Sequence, residues 1–281
     1  MPLPTKALPA PSLTLLFFPE RDPDYIHFEH ADVVPFDPQA RAFSAANAWY
    51  LADAALLAYW QCADAAARFA RGGFAAVEFF DNPLTSTECY VAASDRAAIV
   101  TFRGTQINAI QDAVADADAL RVAWDGEGRV HRGFLAALDA VWGRLERHLR
   151  SLGARTIWMT GHSLGAALAT LAARRWIGGG GAVAGVYTVG SPRVGDRDFA
   201  SGFDRALGGR SFRYVNGVDS VTDLPFAQWG YVHAGEERRL IRSPDDTRSR
   251  VLQSIDAPLV DHTPRRYATL IWNALAEDGT N

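Results

Sequence analysis

The sequence has little of several features that would assign a chain to a specialised class. It has two cysteines in 281 residues, Cys62 and Cys89, which is too few for a disulfide framework. The count favours two buried thiols, with a single disulfide as the alternative. Its 28 basic and 32 acidic side chains leave a net charge of -4 without a basic block, so nucleic-acid binding is not expected. No apolar run approaches the roughly 18 residues of a membrane span, and we expect no integral membrane segment.

Proline is plentiful at the start of the chain and sparse afterwards. Eight of the 14 prolines come before residue 39, and proline disrupts the interiors of helices and sheets. We therefore predict a proline-rich arm over residues 1–40, packed on a single domain over 41–281. The apolar stretch 13–18 is too short for the core of a signal peptide. This favours a cytoplasmic protein or a mature secreted form.

Hydrophobic periodicity predicts the elements of an α/β domain. A helix, interrupted once, is expected between Ser44 and Gly72, followed by a meander of three short strands over 74–80, 88–94 and 97–102. From residue 97 onward strands alternate with helices, which is typical of a mostly parallel central sheet with helices on both faces. Further strands are predicted at 156–160, 182–190, 211–217 and 230–237, and helices at 133–153, 163–177, 197–207 and 263–278.

The stretch "GHSLG" contains the first candidate for chemistry, Ser163. It lies between a predicted strand and a predicted helix, with Gly161 two residues before the serine and Gly165 two residues after it. A sharp strand-to-helix turn exposes a serine above the sheet edge and crowds its neighbours, which is why glycine is favoured there. The pattern predicts a nucleophilic serine. The alternative is a helix-capping serine flanked by packing glycines.

A nucleophilic serine needs a base and an acid that orients the base. In sheets with this turn the chain order is nucleophile, acid and then histidine. Asp219 follows a predicted strand at the carboxyl edge of the sheet, where ligand sites form, and is preferred over Asp223. His262 lies in a predicted loop before the last helix and is preferred over His233, which lies in a predicted strand.

The oxyanion of an acyl-transfer intermediate also needs backbone donors. The N–H of Leu164, the residue after the serine, is expected to be one of them. Thr105 follows the strand "AIVTF" and could supply the second, although an ordinary turn residue would fit equally well. The alanine-rich, acidic stretch at about 106–125 is predicted to be a short helical lid, or else a plain surface helix.

Several motifs together resemble the class 3 lipases, the family of filamentous-fungal triacylglycerol lipases and feruloyl esterase. They are "VTFRGTQ", "VHRGF", "MTGHSLGAALATLAA", "YTVGSPRVGD", "RYVNGVDSVTDLP" and "YVHAGEE", spread over roughly residues 40 to 275. The resemblance implies an α/β-hydrolase fold and a helical lid after Thr105. It also implies the site residues Ser163 as nucleophile, Asp219 as acid, His262 as base, and Thr105 with Leu164 as oxyanion donors.

The resemblance implies a serine carboxylic-ester hydrolase, with triacylglycerol lipase as the first expectation. Its partners would be a lipid or other ester substrate and, transiently, a lipid–water interface, and no metal or organic cofactor is expected. One alternative is a carboxylesterase that acts on soluble feruloyl, aryl or polyester substrates. A remote alternative is a non-catalytic lipase-like interaction protein.

Overall fold

The computed structural model describes residues 3–10, 18–19, 24–104, 120–240 and 257–278. Its strands are β1 (Ala76–Asn82), β2 (Thr87–Ala93), β3 (Ala97–Phe102), β4 (Arg121–Ala123), β5 (Arg129–His131), β6 (Thr156–His162), β7 (Gly185–Val189), β8 (Ser211–Asn216) and β9 (Glu236–Leu240). Its α-helices are α1 (Ala45–Leu57), α2 (Cys62–Arg71), α3 (Arg132–Ser151), α4 (Leu164–Gly178), α5 (Arg197–Leu207), α6 (Ala257–Asp261) and α7 (Pro264–Asp278).

Within the described residues, seven strands form one sheet in the order β1-β2-β3-β6-β7-β8-β9. β1, β2 and β3 pair antiparallel, as the predicted meander requires. In the rest of this sheet, β3-β6-β7-β8-β9, every pairing is parallel. Parallel strands bring their carboxyl ends to one edge, so the loops that follow β3, β6 and β8 all meet there. The predicted mostly parallel central sheet is confirmed.

Helices cover the sheet on both faces, as predicted. α3, α4 and α5 pack on one face, and α1, α2 and α7 pack on the other. Residues of β6 alternate between these two layers: Ile157 and Met159 join the first, and Trp158 joins the second. The alternation follows from the two-residue repeat of a strand, and it places an apolar core on each face of the sheet.

The described part of the N-terminal arm packs against α1 and α7. The backbone N–H of Phe28 donates to Asp53 on α1 at 2.7 Å, and the Tyr25 hydroxyl donates to the other carboxylate oxygen. Nearer the N-terminus, the backbone of Lys6 makes two hydrogen bonds with the Asn273 amide of α7, of 2.7 and 2.9 Å. Polar contacts therefore join the arm to two helices of the domain.

Three local predictions are wrong. The strand predicted at 230–237 begins only at Glu236, and before it Val232 forms an isolated bridge with Gly195. The segment before His262 is the short helix α6 rather than a loop. Cys62 is exposed, at the start of α2, whereas Cys89 is buried within β2; both thiols are free.

The predicted lid lies mostly outside the described residues. Its last part, residues 120–125, is described and contains strand β4, which pairs antiparallel with β5. Trp124 is buried and packs edge-on against Phe199 of α5, with ring centroids 5.4 Å apart. This end of the predicted segment is therefore part of the domain, and the helical lid stays a prediction for the rest.

Candidate active site

Ser163 lies in the turn between β6 and α4 with an unusual backbone conformation. Its φ of 59° and ψ of -126° fall in a region that residues with a side chain rarely adopt. The turn brings the serine to the carboxyl edge of the sheet, at the N-terminus of the following helix. Such strain is characteristic of the strand–serine–helix turn that the "GHSLG" pattern predicts.

The two flanking glycines allow β3, β6 and α4 to approach closely beneath the serine. A Cβ atom on Gly161 would lie 2.3 Å from the Gly165 carbonyl oxygen. A Cβ atom on Gly165 would lie 2.1 Å from the Phe102 carbonyl oxygen. Both obstacles are backbone atoms, which cannot rotate away as a side chain can. The expectation that small residues permit this close packing is confirmed.

Ser163, His262 and Asp219 form a continuous hydrogen-bonded line. The Ser163 Oγ is 2.7 Å from His262 Nε2, and His262 Nδ1 is 2.9 and 2.8 Å from the two Asp219 carboxylate oxygens. All three side chains are buried. Because the carboxylate accepts from Nδ1–H, Nε2 is left to accept the serine proton. The arrangement can therefore generate a serine alkoxide equivalent and hold the resulting imidazolium.

Asp219 is fixed by contacts beyond His262. Its Oδ1 accepts from the Val221 N–H at 3.0 Å, and its Oδ2 accepts from the Tyr267 hydroxyl at 2.7 Å. The same hydroxyl accepts from the Asn216 N–H at 3.0 Å. Burial raises the pKa of Tyr267 well above its usual value, and the Asp219 charge raises it further, so the phenol stays a donor.

Sequence reasoning missed Tyr267, because a tyrosine within the apolar stripe of the last helix reads as a core residue. It occupies the first turns of α7, five residues after His262, and its ring is buried. Only the fold brings its hydroxyl to an aspartate 48 positions earlier in the chain. Nothing in the local pattern signals this contact.

His162, next to the serine, also contacts His262. Its Nδ1 lies 2.8 Å from the Tyr59 hydroxyl, and its Nε2 lies 2.6 Å from the backbone oxygen of His262. The two histidine rings are 4.5 Å apart between centroids. Burial lowers the pKa of His162 well below its usual value, and the charge of His262 lowers it further. This ring is therefore neutral.

The two rival candidates lie in other surroundings. Asp223 has a largely exposed side chain and an ion pair of 3.6 Å with Arg193. His233 donates from Nε2 to the Thr222 carbonyl at 2.8 Å. Burial, followed by the charge of Arg213, lowers the pKa of His233 to about 3, so its ring is neutral. Neither residue belongs to the hydrogen-bonded line of Ser163.

The two predicted oxyanion donors differ in what the structure describes. Leu164 is the first residue of α4, and the N–H groups of a first turn have no acceptor within their own helix. Its N–H is thus available at the serine. Thr105 lies outside the described residues and stays a prediction, although the preceding residue, Gly104, packs against the Ser163 turn.

A parallel sheet with helices on both faces and a strand–serine–helix turn at its carboxyl edge is the architecture of an α/β-hydrolase. Residues 99–229 match the family model described as Lipase (class 3). That match spans β3, the serine turn and Asp219. Slightly less than half of the chain is therefore similar to the class 3 lipases.

Individual proteins show the same similarity. The chain is 32% identical over 177 residues to a secreted mono- and diacylglycerol lipase A of Penicillium cyclopium, covering 60% of this chain and 56% of the relative. It is 34% identical over 154 residues to a lipase of Rhizomucor miehei, covering 51% and 42%. Among solved structures, a lipase from Rhizopus microsporus var. chinensis has a TM-score of 0.56 and 26% identity, covering 77% of this chain and 82% of that one.

The match to curated relatives is partial along their length. The chain spans about half of the two fungal lipases just named, 56% and 42% respectively. A separate observation concerns membranes: among the described residues, no helix combines the length and apolar character needed to cross a bilayer.

Proposed function

We propose that this chain is a serine carboxylic-ester hydrolase, and specifically a triacylglycerol lipase. The observation that carries the proposal is the buried line of hydrogen bonds from Ser163 through His262 to Asp219. The names of the two fungal relatives, both lipases, support the substrate class. The substrate would be a lipid ester that meets the protein at a lipid–water interface.

The reaction proceeds by acyl transfer to the serine. Ser163 Oγ attacks the ester carbonyl carbon while His262 Nε2 takes the hydroxyl proton, and Asp219 stabilises the imidazolium without accepting the proton. The N–H groups of Leu164 and Thr105 stabilise the oxyanion of the tetrahedral intermediate. His262 then donates its proton to the leaving alcohol. Water, deprotonated by His262, hydrolyses the acyl-enzyme and releases the carboxylic acid and free Ser163.

A carboxylesterase that acts on soluble esters is the second candidate, and one sequence feature favours it. The stretch 106–119, "QINAIQDAVADADA", has three aspartates and no aromatic residue. A segment of this composition offers little apolar surface to a lipid aggregate. The same triad would then act on dissolved substrates, with no gain in rate at an interface.

The compartment also belongs to the proposal. The Penicillium relative is named as secreted, which favours a secreted protein over a cytoplasmic one. Periplasmic or extracellular activity in cell fractions, measured against a cytoplasmic marker enzyme, would test this choice.

Hydrolysis of p-nitrophenyl esters with acyl chains of two to sixteen carbons, beside emulsified triglyceride, tests the reaction. Ser163→Ala is the control. We expect activity that falls to background in Ser163→Ala and rises with chain length and with emulsified substrate. A preference for the shortest esters, without a rise above the solubility limit, would support the carboxylesterase.

Two results would overturn the proposal. Activity that survives in Ser163→Ala would exclude this serine as nucleophile. A folded wild-type protein that hydrolyses none of these esters would instead support the non-catalytic interaction protein.

A further inference from the structure

His162 is bonded to two different parts of the site at once. Through the peptide chain it is the direct neighbour of Ser163, as the last residue of β6 before the strained turn. Through its Nε2 it lies 2.6 Å from the backbone oxygen of His262, 100 residues later. Its ring packs against the His262 ring at 4.5 Å and is buried. One side chain therefore spans the proposed nucleophile and the proposed base.

The direction of each hydrogen bond follows from the chemistry of the partners. A carbonyl oxygen only accepts, so His162 Nε2 carries the proton that it shares with His262 O. Because the ring is neutral, its Nδ1 has a lone pair and accepts from the Tyr59 hydroxyl at 2.8 Å. The order of donation is Tyr59 O–H to His162 Nδ1, then His162 Nε2–H to the His262 carbonyl.

The His262 carbonyl, which can only accept, sets the tautomer of His162, and the Tyr59 hydroxyl supports that tautomer by donating to the Nδ1 lone pair. Without the hydroxyl this buried acceptor would lose its partner. The hydroxyl also lies against the loop after β3, since a Cβ on Gly104 would be 2.2 Å from it and 2.6 Å from the His162 backbone oxygen. That loop leads directly to Thr105, the predicted oxyanion donor.

Neutrality of His162 matters to the reaction itself. During acyl transfer His262 becomes an imidazolium, and a second cation 4.5 Å away would disfavour it. A neutral ring that donates to the His262 backbone can fix the base without opposing its charge. The distance that must be kept is the 2.7 Å between His262 Nε2 and Ser163 Oγ.

We propose that His162 is a positioning residue that fixes His262 relative to Ser163, and that the Tyr59 hydroxyl supports the required tautomer of His162 by donating to its Nδ1. The proposal rests on the ester-hydrolase function proposed above. The hydrogen bonds of both residues lead to His262 and not to a substrate. We therefore expect their loss to slow the chemical step.

Three variants of the full chain separate these roles. Tyr59→Phe removes one hydroxyl, and we expect kcat to fall about tenfold because a buried acceptor loses its partner. His162→Phe keeps the ring packing but loses both hydrogen bonds, and we expect kcat to fall about 100-fold, as for a misplaced base. His162→Gln retains one donor and one acceptor and should recover most of that loss. KM should stay within about twofold throughout.

Tyr90→Phe is the matched control. The Tyr90 hydroxyl is buried and donates to the Trp60 carbonyl at 2.7 Å, so the substitution removes a comparable bond away from the triad. We expect an unchanged kcat in this variant. Thermal unfolding of every variant, and the rate at which a fluorophosphonate labels Ser163, separate loss of folding from loss of reactivity.

The outcomes are distinct. The proposal is supported if folded Tyr59→Phe and His162→Phe label slowly and lose kcat, and if His162→Gln is restored. It is overturned if both phenylalanine variants keep the wild-type kcat, or if His162→Gln is as slow as His162→Phe. A wild-type protein that neither hydrolyses esters nor reacts at Ser163 would refute the proposed function, a separate failure visible before any variant is made.

Discussion

His27 offers a sharp test of how burial controls the acid stability of this fold. Its ring lies edge-on to Tyr25 at 5.0 Å and to Trp60 at 4.6 Å, fully buried under the N-terminal arm. Within the described part of the chain, neither ring nitrogen has a hydrogen-bond partner. Burial, followed by the charge of Arg68, lowers the pKa of His27 from 6.5 to about 3. We predict that His27→Phe makes the protein less sensitive to acid.

The sign and size follow from proton linkage. The folded-state pKa of His27 is the lower one, so the unfolded chain takes up the proton first. The stability that the neutral His27 ring contributes is fully present above pH 6.5 and is lost as the pH falls toward about 3. Crossing the whole interval would cost about 5 kcal/mol, and passing from about pH 7.5 to about pH 5 would cost about 2 kcal/mol. His27→Phe should remove that loss.

Asp53, in the same buried cluster, provides a control of opposite sign. Burial raises its pKa from 3.8 to about 6, so the folded state takes up the proton first. Acidification through pH 6 therefore stabilises the fold through this group, by about 1 kcal/mol between about pH 7.5 and about pH 5. Asp53→Asn should remove that gain, whereas His27→Phe removes a loss.

Urea unfolding at the two pH values measures both effects. For each protein the change in unfolding free energy on acidification is measured, and the change in the variant is subtracted from that in the wild type. The subtraction cancels the contributions of the histidines and carboxylates that both proteins share. We expect a difference of about 2 kcal/mol for His27→Phe and one of opposite sign for Asp53→Asn. A difference near zero for His27→Phe would refute the reasoning, because it would mean that the buried ring can be protonated without unfolding.

Three further outcomes are expected. Gly165→Ala should lower the unfolding free energy, measured by thermal unfolding, by several kcal/mol because its Cβ would lie 2.1 Å from a backbone oxygen. Gly143→Ala, in the open middle of α3, should be neutral or stabilise by up to about 1 kcal/mol. Equal effects of the two substitutions would contradict the close packing of Gly165. Asp219→Asn should keep the fold but lower kcat by about 10⁴, because His262 is then held in the wrong tautomer, and a loss below tenfold in ester hydrolysis would count against this role. Asn273→Ala removes two hydrogen bonds to the arm and should lower the urea midpoint by the equivalent of about 1 to 2 kcal/mol, while an unchanged midpoint would show that the arm contributes no stability there.

Much of the fold could be predicted because its elements carry strong local signals. The helix predicted at 197–207 has the same bounds in the structure, with Asp196 as N-cap and the left-handed Gly208 as C-cap. The strand–serine–helix turn has an equally local cause, since the glycines on either side of Ser163 are required by backbone contacts. Short-range chemistry of this kind is readable in a single sequence.

The hairpin of β4 and β5 was missed for a physical reason. Each strand has three residues, too few to display a two-residue repeat. Val130 of β5 pairs with Gly195, which in turn pairs with Val232, so contacts distant in the chain support the hairpin. A stretch whose structure depends on such pairings has no signal of its own in the sequence.

The same distinction between local signals and distant contacts applies to the residues of the candidate active site. Ser163, Asp219 and His262 could be proposed from residue type, chain order and position at strand ends. Tyr267 and His162 could not be given their contacts, because each joins the site through atoms 48 or 100 residues away. Roles that depend on a residue's own turn are predictable, and roles that depend on packing between layers need the fold.

The two free cysteines allow the opening of the sheet to be measured without introducing a further reactive residue. Cys62 is exposed and would react at once with a thiol reagent, while Cys89 lies in β2 with its thiol buried and its pKa raised well above the usual value by that burial. The second thiol can react only when β2 becomes accessible. The slow phase of labelling would therefore report how often the meander separates from the sheet, on a timescale set by the native protein itself.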